Sequence, residues 1–237
     1  MNIAMIKAGG VGTRMNAGIP KQFIRVNNIP IIIYTISAFE KHPDIDEIII
    51  VCIEEWIDEL WSYIKEYNIT KVHKIVKGGS TSMRSIKCGV DALLEDHDEN
   101  DQVLIHDANR PLISEDIITD VLEKSKIFGN AVAAIQSTDE VMISDDGIAS
   151  SVYTNRRRIY RIQTPDSYKL KDIRDLISLA SEEEMDTFGS TNTLVIAKGG
   201  TMHFALGSEL NIRLTKQEDI TLFKGILDIR SEEINND

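Results

Sequence analysis

Arg14 and Lys21 are the side chains of this sequence whose type and spacing best suit chemistry on a phosphate. Arg14 ends the run Ala8-Gly9-Gly10-Val11-Gly12-Thr13-Arg14-Met15, and Lys21 follows in Pro20-Lys21-Gln22-Phe23. Glycine lacks a Cβ, so backbone N–H groups in such a loop can approach a polyphosphate closely. The two cations add charge where a transferring phosphoryl group becomes more negative. The apolar run Ile3 to Ile6 leads straight into the loop. Together these features suit an enzyme that handles a nucleoside triphosphate. Two other phosphate loops fit poorly. No Gly-x-x-x-x-Gly-Lys-Ser/Thr string occurs. Met15 stands where a dinucleotide fingerprint needs its third glycine, and no acidic residue ends a second strand at the distance that ribose recognition requires.

Further along, Val103-Leu104-Ile105-His106-Asp107-Ala108-Asn109-Arg110-Pro111 is an apolar strand ending in His-Asp. Ligands of open α/β sheets bind at such carboxyl ends. A carboxylate there is placed to hold Mg²⁺ on a triphosphate, because hard cations take oxygen ligands. His106 faces the same end and reads better as a packed residue than as a reacting one. After the third strand comes Lys77-Gly78-Gly79-Ser80, with Ser85 in the next helix. Backbone groups of that turn can read a pyrimidine edge, and Ser85 can bond a phosphate or ribose oxygen. Two later stretches carry clustered charge or a polar string: Tyr153 to Arg161, with Arg156-Arg157-Arg158, and Gly207-Ser208-Glu209-Leu210-Asn211-Ile212-Arg213-Leu214-Thr215.

The chain resembles the cytidylyltransferases that activate polyol phosphates. Their first loop reads Ala-Gly-Gly-x-Gly-x-Arg-Met, four variable residues, then Pro-Lys-Gln. The match departs at Lys7, where a small residue is usual. His106-Asp107-x-x-Arg110-Pro111 matches a second family motif, whose aspartate binds the metal. Gly78, Gly79 and Ser85 match a third, although Ser82 replaces its arginine. The resemblance implies that Arg14, Lys21 and Arg213 act on the phosphates, with Arg213 standing for a usual lysine. It implies a nucleotide cradle of Ala8, Gly9, Gly10, Gly12, Thr13, Gly79, Ser80 and Ser85. On the acceptor side it implies Asp107, Arg110, Glu140, Arg156 and Thr164, with Asp107 also holding Mg²⁺. Glu140 stands for a usual threonine, and Gln163-Thr164-Pro165 ends in Asp166 instead of glutamine. A usual Thr-Asp-x-Ala-Ser string is missing and falls by position on Gly189-Ser190-Thr191-Asn192-Thr193.

Apolar runs alternating with amphipathic segments must position these residues, which is an α/β pattern. Strands are expected at Asn2–Ile6, Glu47–Cys52, Lys74–Val76, Gln102–His106 and Ala131–Ile135. Runs such as Ile48-Ile49-Ile50-Val51 lack alternation, as strands buried on both faces should. Helices are expected at Pro30–His42, Glu54–Tyr67, Ser82–Leu94, Ser114–Phe128, Lys169–Ser181 and Lys216–Arg230. Ser114 suits an N-cap, and Glu115-Asp116 suits the first turn. Gln136 to Ile162 breaks the rhythm. Asp146-Gly147 between two strand-like stretches signals a hairpin. A lone hairpin is marginal in water, so a second subunit should cover it. The resemblance implies the same, a homodimer whose arm reaches the neighbour's active site. The expected fold is a three-layer, Rossmann-like nucleotidyltransferase domain over 1–237, mainly parallel, with a β-arm at about 136–162.

Composition sets the limits. The 237 residues, 42% of them hydrophobic, can fill one sizeable core. Two cysteines, Cys52 and Cys88, lack metal-ligand spacing and read as buried free thiols, so a cytoplasmic setting is the default. No run approaches the roughly 18 apolar residues of a membrane span, and the first apolar run is too short for a signal peptide. The net charge of −12 argues against a nucleic-acid partner.

The expected reaction is CTP plus a polyol phosphate giving a CDP-polyol and pyrophosphate. The altered acceptor half points to an alditol phosphate such as ribitol 5-phosphate. 2-C-Methyl-D-erythritol 4-phosphate stays open as the acceptor. So does a catalytically weakened nucleotide-binding protein, which would suit the missing string and Ser82. Sugar-1-phosphate nucleotidyltransferases share a similar Gly-Gly-x-Gly-Thr-Arg loop, but Pro20-Lys21-Gln22 and Asn211-Ile212-Arg213 favour the polyol group.

Overall fold

Strands of isoleucine and valine without polar alternation form the centre of the molecule, because both of their faces are covered. The computed structural model describes residues 1–10 and 19–236, with 231–236 described by backbone alone. Strands β1 (Asn2–Ala8), β2 (Glu47–Cys52), β3 (Val72–Lys77) and β4 (Gln102–Asp107) run parallel in the order β3-β2-β1-β4. Beyond β4 lie β6 (Tyr160–Lys169), β5 (Asn130–Gln136) and β7 (Phe204–Leu206), completing a seven-stranded sheet. Strand β6 is antiparallel to β4 and β5, while β7 is parallel to β5.

Side-chain alternation along the strands builds the two outer layers. Ala4, Ile6 and Ala8 of β1 pack with α1 (Ile31–Lys41), α2 (Ile57–Glu66) and α4 (Glu115–Phe128). Ile3 and Met5 face the other way, toward α3 (Ser82–Leu93), α5 (Leu170–Ser178), α6 (Glu182–Thr187) and α7 (Thr191–Ala197). A third cluster sets Phe223 of α8 (Gln217–Asn236) with Val26, Ile31 and Leu214.

The five expected strands and six expected helices are present, with most ends within a residue or two. The exceptions are instructive. The helix expected from Glu54 opens as a 3-10 turn at Glu54–Trp56. Ser114 stands at the N-cap of α4 but its hydroxyl makes no capping bond. Cys52 is buried, whereas Cys88 is only half-buried. Strands β6 and β7 and helices α6 and α7 were not expected. Residues 137–159 leave the sheet as an arm between β5 and β6. Its hairpin shrinks to one antiparallel bridge, Ile143 with Val152, around a turn where Asp146 accepts from the N–H groups of Ile148 and Ala149.

Helix α3 lies unusually close to the sheet at Gly89. A Cβ there would sit 2.7 Å from Met5 Sδ and 2.8 Å from Val51 Cγ2. Glycine in mid-helix costs about 1 kcal/mol relative to alanine, and this approach is what it permits. Gly89→Val is expected to lower stability by roughly 1–3 kcal/mol through overpacking. Thermal unfolding followed by circular dichroism should show a midpoint lower by about 3–10 °C. An unchanged midpoint would contradict the close approach of α3.

Candidate active site

The chain leaves β1 toward β2 and β3 on one side, then returns to place β4 on the other. Such a reversal opens a crevice at the carboxyl ends of the two central strands. A mouth of about 220 Å³ lies there, lined by Lys7, Gly9, Gly10, Lys21, Ser80, Asp107 and Arg213 among others.

Two loops form its walls. Ala8 is the buried last residue of β1, and Gly9 and Gly10 follow it. Gln22, buried in the 3-10 turn Lys21–Phe23, donates from Nε2 to the carbonyls of Ala8 (2.6 Å) and Gly10 (3.2 Å). Lys21 is thereby held beside the glycines. Gly12, Thr13 and Arg14 lie outside the described residues. In the second loop, Ser85 Oγ accepts from the Gly79 N–H (3.1 Å) and donates to the Gly79 carbonyl (3.2 Å). A Cβ on Gly79 would sit 2.5 Å from the Cβ of Arg84, so the turn needs glycine. Ser85 lines the mouth, but its hydroxyl is already occupied with this turn. Thr81 caps α3 by accepting from the Arg84 N–H, and its own hydroxyl donates to the Met185 carbonyl. The positive end of the α3 dipole meets the mouth at Ser80 and Ser82.

Asp107 is the hub of the charges. Its Oδ1 lies 3.1 Å from Lys7 Nζ, and its Oδ2 lies 3.3 Å from Arg213 Nε and 3.5 Å from Arg110 Nε. Burial alone would raise its pKa, but Lys7, Arg213 and Arg110 overcome this and hold it well below the usual carboxylate range. Arg110 also donates to the Asn211 carbonyl at 2.7 Å, and Asn109 Nδ2 donates to the Leu214 carbonyl at 2.6 Å. These bonds bring the distant 211–214 segment, and with it Arg213, to the end of β4.

Behind the hub, His106 and Thr164 serve structure. The Thr164 hydroxyl accepts from the Asp107 N–H (3.1 Å) and reaches His106 Nδ1 at 3.1 Å, while His106 Nε2 faces the Arg110 carbonyl at 3.2 Å. Burial pushes the His106 pKa down to about 4. His106 is a packed residue, as read from the sequence. Thr164, expected beside the acceptor, is buried and turned inward, with its hydroxyl occupied at the strand end.

The chain does not bring every expected residue to the mouth. Glu140 and Arg156 lie on the exposed arm, 3.8 Å apart at their charged ends, with Arg156 also donating to the Thr138 carbonyl. Neither lines the mouth. Four side chains were not assigned to the site from the sequence. Gln22 and Asn109 pin backbone; Lys7 and Asp166 carry charge. Both stood out in the sequence only as departures from the family pattern, Lys7 for a small residue and Asp166 for a glutamine, with no role attached. Asp166 is buried, accepts from Thr191 Oγ1, and lies within the electrostatic reach of Lys7.

An anionic ligand fits this arrangement: glycine turns, a helix N-terminus and the cations Lys7, Lys21 and Arg213 line the mouth around Asp107. A divalent cation on Asp107 does not fit. Both of its oxygens are engaged by cations, and among the described residues no three His, Cys, Asp or Glu side chains converge.

Comparison with known proteins agrees with the fold. Ribitol-5-phosphate cytidylyltransferase of Lacticaseibacillus paracasei is 40% identical over 96% of this chain and 98% of its own length. 2-C-Methyl-D-erythritol 4-phosphate cytidylyltransferase of Clostridium botulinum is 34% identical over 96% of this chain and 97% of its own. The crystal structure of 4-diphosphocytidyl-2C-methyl-D-erythritol synthase from Anaerococcus prevotii superposes with a TM-score of 0.82 at 27% identity, covering 96% and 98% of the two chains. The family model described as IspD, 2-C-methyl-D-erythritol 4-phosphate cytidylyltransferase, matches residues 2–229. With its glycine loops and cation-rich mouth at the β1–β4 crevice, the chain belongs to this cytidylyltransferase family.

Proposed function

We propose that this cytidylyltransferase transfers CMP from CTP to ribitol 5-phosphate, giving CDP-ribitol and pyrophosphate. The observation that carries the choice of acceptor is the 40% identity, over nearly the whole of both chains, with a ribitol-5-phosphate cytidylyltransferase, against 34% with a methylerythritol enzyme. The departures at Glu140 and at Gly189-Ser190-Thr191-Asn192-Thr193 lie where the sequence pattern places the polyol, and they support the same choice.

In this reading a phosphate oxygen of the acceptor attacks the α-phosphorus of CTP in line. The new P–O bond forms as the bond to the β-phosphate oxygen breaks, and pyrophosphate leaves with the electron pair. The second pKa of a phosphate monoester is about 6, so the nucleophile is already ionised near neutral pH and no general base is required. Position and charge must supply the rate. Lys21, from its place beside Gly9 and Gly10, stabilises charge growing on the α-phosphate and the leaving group. Arg14 is assigned the same task from the sequence. Arg213 orients the acceptor phosphate. Mg²⁺ arrives as the counter-ion of CTP and so as part of the substrate.

The acceptor half requires a second copy. The arm exposes Met142, Ile143, Ile148, Val152 and Tyr153, with Ile148 at 88% and Tyr153 at 84% exposure. Beside its base a groove of about 760 Å³ is lined by Tyr160, Ile162, Ile196, Met202 and Phe204. Apolar arm and apolar groove on one chain suit a reciprocal two-fold contact. A homodimer of this kind carries Arg156 of each arm to the neighbour's mouth, where it grips the acceptor phosphate.

Four outcomes are expected. Mass spectrometry of reactions with CTP should show CDP-ribitol from ribitol 5-phosphate far in excess of CDP-methylerythritol from the other acceptor; the reverse order would overturn the choice. Lys21→Ala should lower kcat by on the order of 10²–10³, and near-normal turnover would remove Lys21 from its role. Arg156→Ala should raise the acceptor KM much more than the CTP KM. Co-expressed with Lys21→Ala, it should regain about a quarter of wild-type activity, because half of randomly formed dimers then hold one site built from two intact contributions. No regain would place Arg156 in its own chain's site or in none.

A further inference from the structure

Lys7 lines the mouth but has no part in the transfer described so far. Strand parity places it there. It lies on the face of β1 that carries Ile3 and Met5, toward α3, and its Cα pairs in register with Asp107 of β4. Its side chain is 12% exposed, and its ammonium lies 3.1 Å from Asp107 Oδ1. Among the described residues Asp107 is its one ion-pair partner at contact distance.

Neutralising Asp107 does not account for Lys7, because Arg110 and Arg213 already pair with that carboxylate. Taking an ammonium out of water costs free energy, and the carboxylate at contact distance is shared with two other cations, with Asp166 acting only at longer range. The ammonium lines a cleft whose other walls include the Gly9-Gly10 turn, Lys21 and the N-terminus of α3. An ammonium offers three donors in rotatable geometry, and a triphosphate offers the oxygens to accept them. Lys7 also occupies the position beside Asp107 that a divalent cation would otherwise need.

We propose that Lys7 binds substrate phosphate: in the nucleotide complex its ammonium donates to a non-bridging oxygen of the CTP phosphates, while Asp107 holds the lysine in place and not a metal. This rests on the reading of the mouth as a CTP site.

Binding without metal tests it. CTP is titrated calorimetrically in EDTA into wild-type protein, Lys7→Gln and Lys7→Arg. Lys7→Gln should weaken CTP roughly 10- to 100-fold, as expected for a charged hydrogen bond, and Lys7→Arg should stay closer to wild type than to Lys7→Gln. In wild-type protein labelled with ¹⁵N at lysine Nζ, the resonance missing from the Lys7→Arg spectrum should shift on adding CTP in EDTA. That measurement holds even if Lys7→Gln fails to fold. Equal affinity in all three proteins, equal losses in both variants, or an unmoved Lys7 resonance would overturn the proposal. Failure of wild-type protein to bind CTP at all, with or without Mg²⁺, would instead overturn the CTP reading.

Discussion

One carboxylate keeps this active site together. Lys7, Arg110 and Arg213 come from β1, from the turn after β4 and from a segment some hundred residues later, and Asp107 touches all three. Two like charges about 6 Å apart repel by roughly 3 kcal/mol at an effective dielectric constant near 20. Cations gathered for a phosphate chain would therefore push one another apart before the phosphate arrived. Asp107 supplies the missing counter-charge in the free protein. It stays ionised because three cations outweigh the cost of its burial. The site is thus preorganised for an anion at the expense of one fixed negative charge.

Backbone architecture makes that arrangement possible. The reversal of strand order between β1 and β4 leaves a crevice between two helix-covered layers, and register pairing sets Lys7 opposite Asp107 within it. Antiparallel β6 then runs back alongside β4, bringing Thr164 under the Asp107 amide and Asp166 opposite Ile105. Asn211 fastens the last segment by donating to the Thr164 carbonyl at 2.9 Å. Each of these bonds joins residues far apart in sequence. The mouth is consequently a product of the whole sheet and not of one loop.

That distribution explains what could be read from the sequence and what could not. The strand-to-glycine loop, the His-Asp strand end and the Gly78-Gly79 turn carry their signal locally, and the structure brings the described parts of all three to one mouth. Strand β6 carried none. Tyr-Arg-Ile-Gln-Thr-Pro-Asp-Ser-Tyr-Lys has neither the alternation nor the apolar content of a buried strand. Its polar residues are tolerated because side chains satisfy them from elsewhere: Gln102 donates to Ser167, Thr191 to Asp166, and Asn211 to the Gln163 side chain. Helices α6 and α7 are too short for a period to show, although Ser181 with Glu184 forms a capping box whose spacing is visible in the sequence. The bonds that hold Ser85 and Thr164 in structural work were equally invisible, since their partners are a turn and a strand end created by the fold.

The two halves of the proposed reaction differ in how far one chain completes them. On the nucleotide side, the described loops, helix terminus and cations converge without help. On the acceptor side, Arg156 and Glu140 are paired with each other on an exposed arm, and both remain more than half exposed. An exposed pair of this kind contributes little to stability, so its separation costs little when a better partner is offered. In the proposed reaction a polyol phosphate would supply one for each member: phosphate oxygens for the guanidinium, and hydroxyl donors for the carboxylate. A second copy that covers the arm's apolar face would lower the local dielectric around both groups and strengthen these contacts. The same burial would make them selective, because an acceptor lacking a hydroxyl opposite Glu140 would leave a carboxylate without its bond. In the proposed reaction acceptor choice would thereby be tied to assembly, whereas the mouth proposed for the nucleotide is built from residues of one chain.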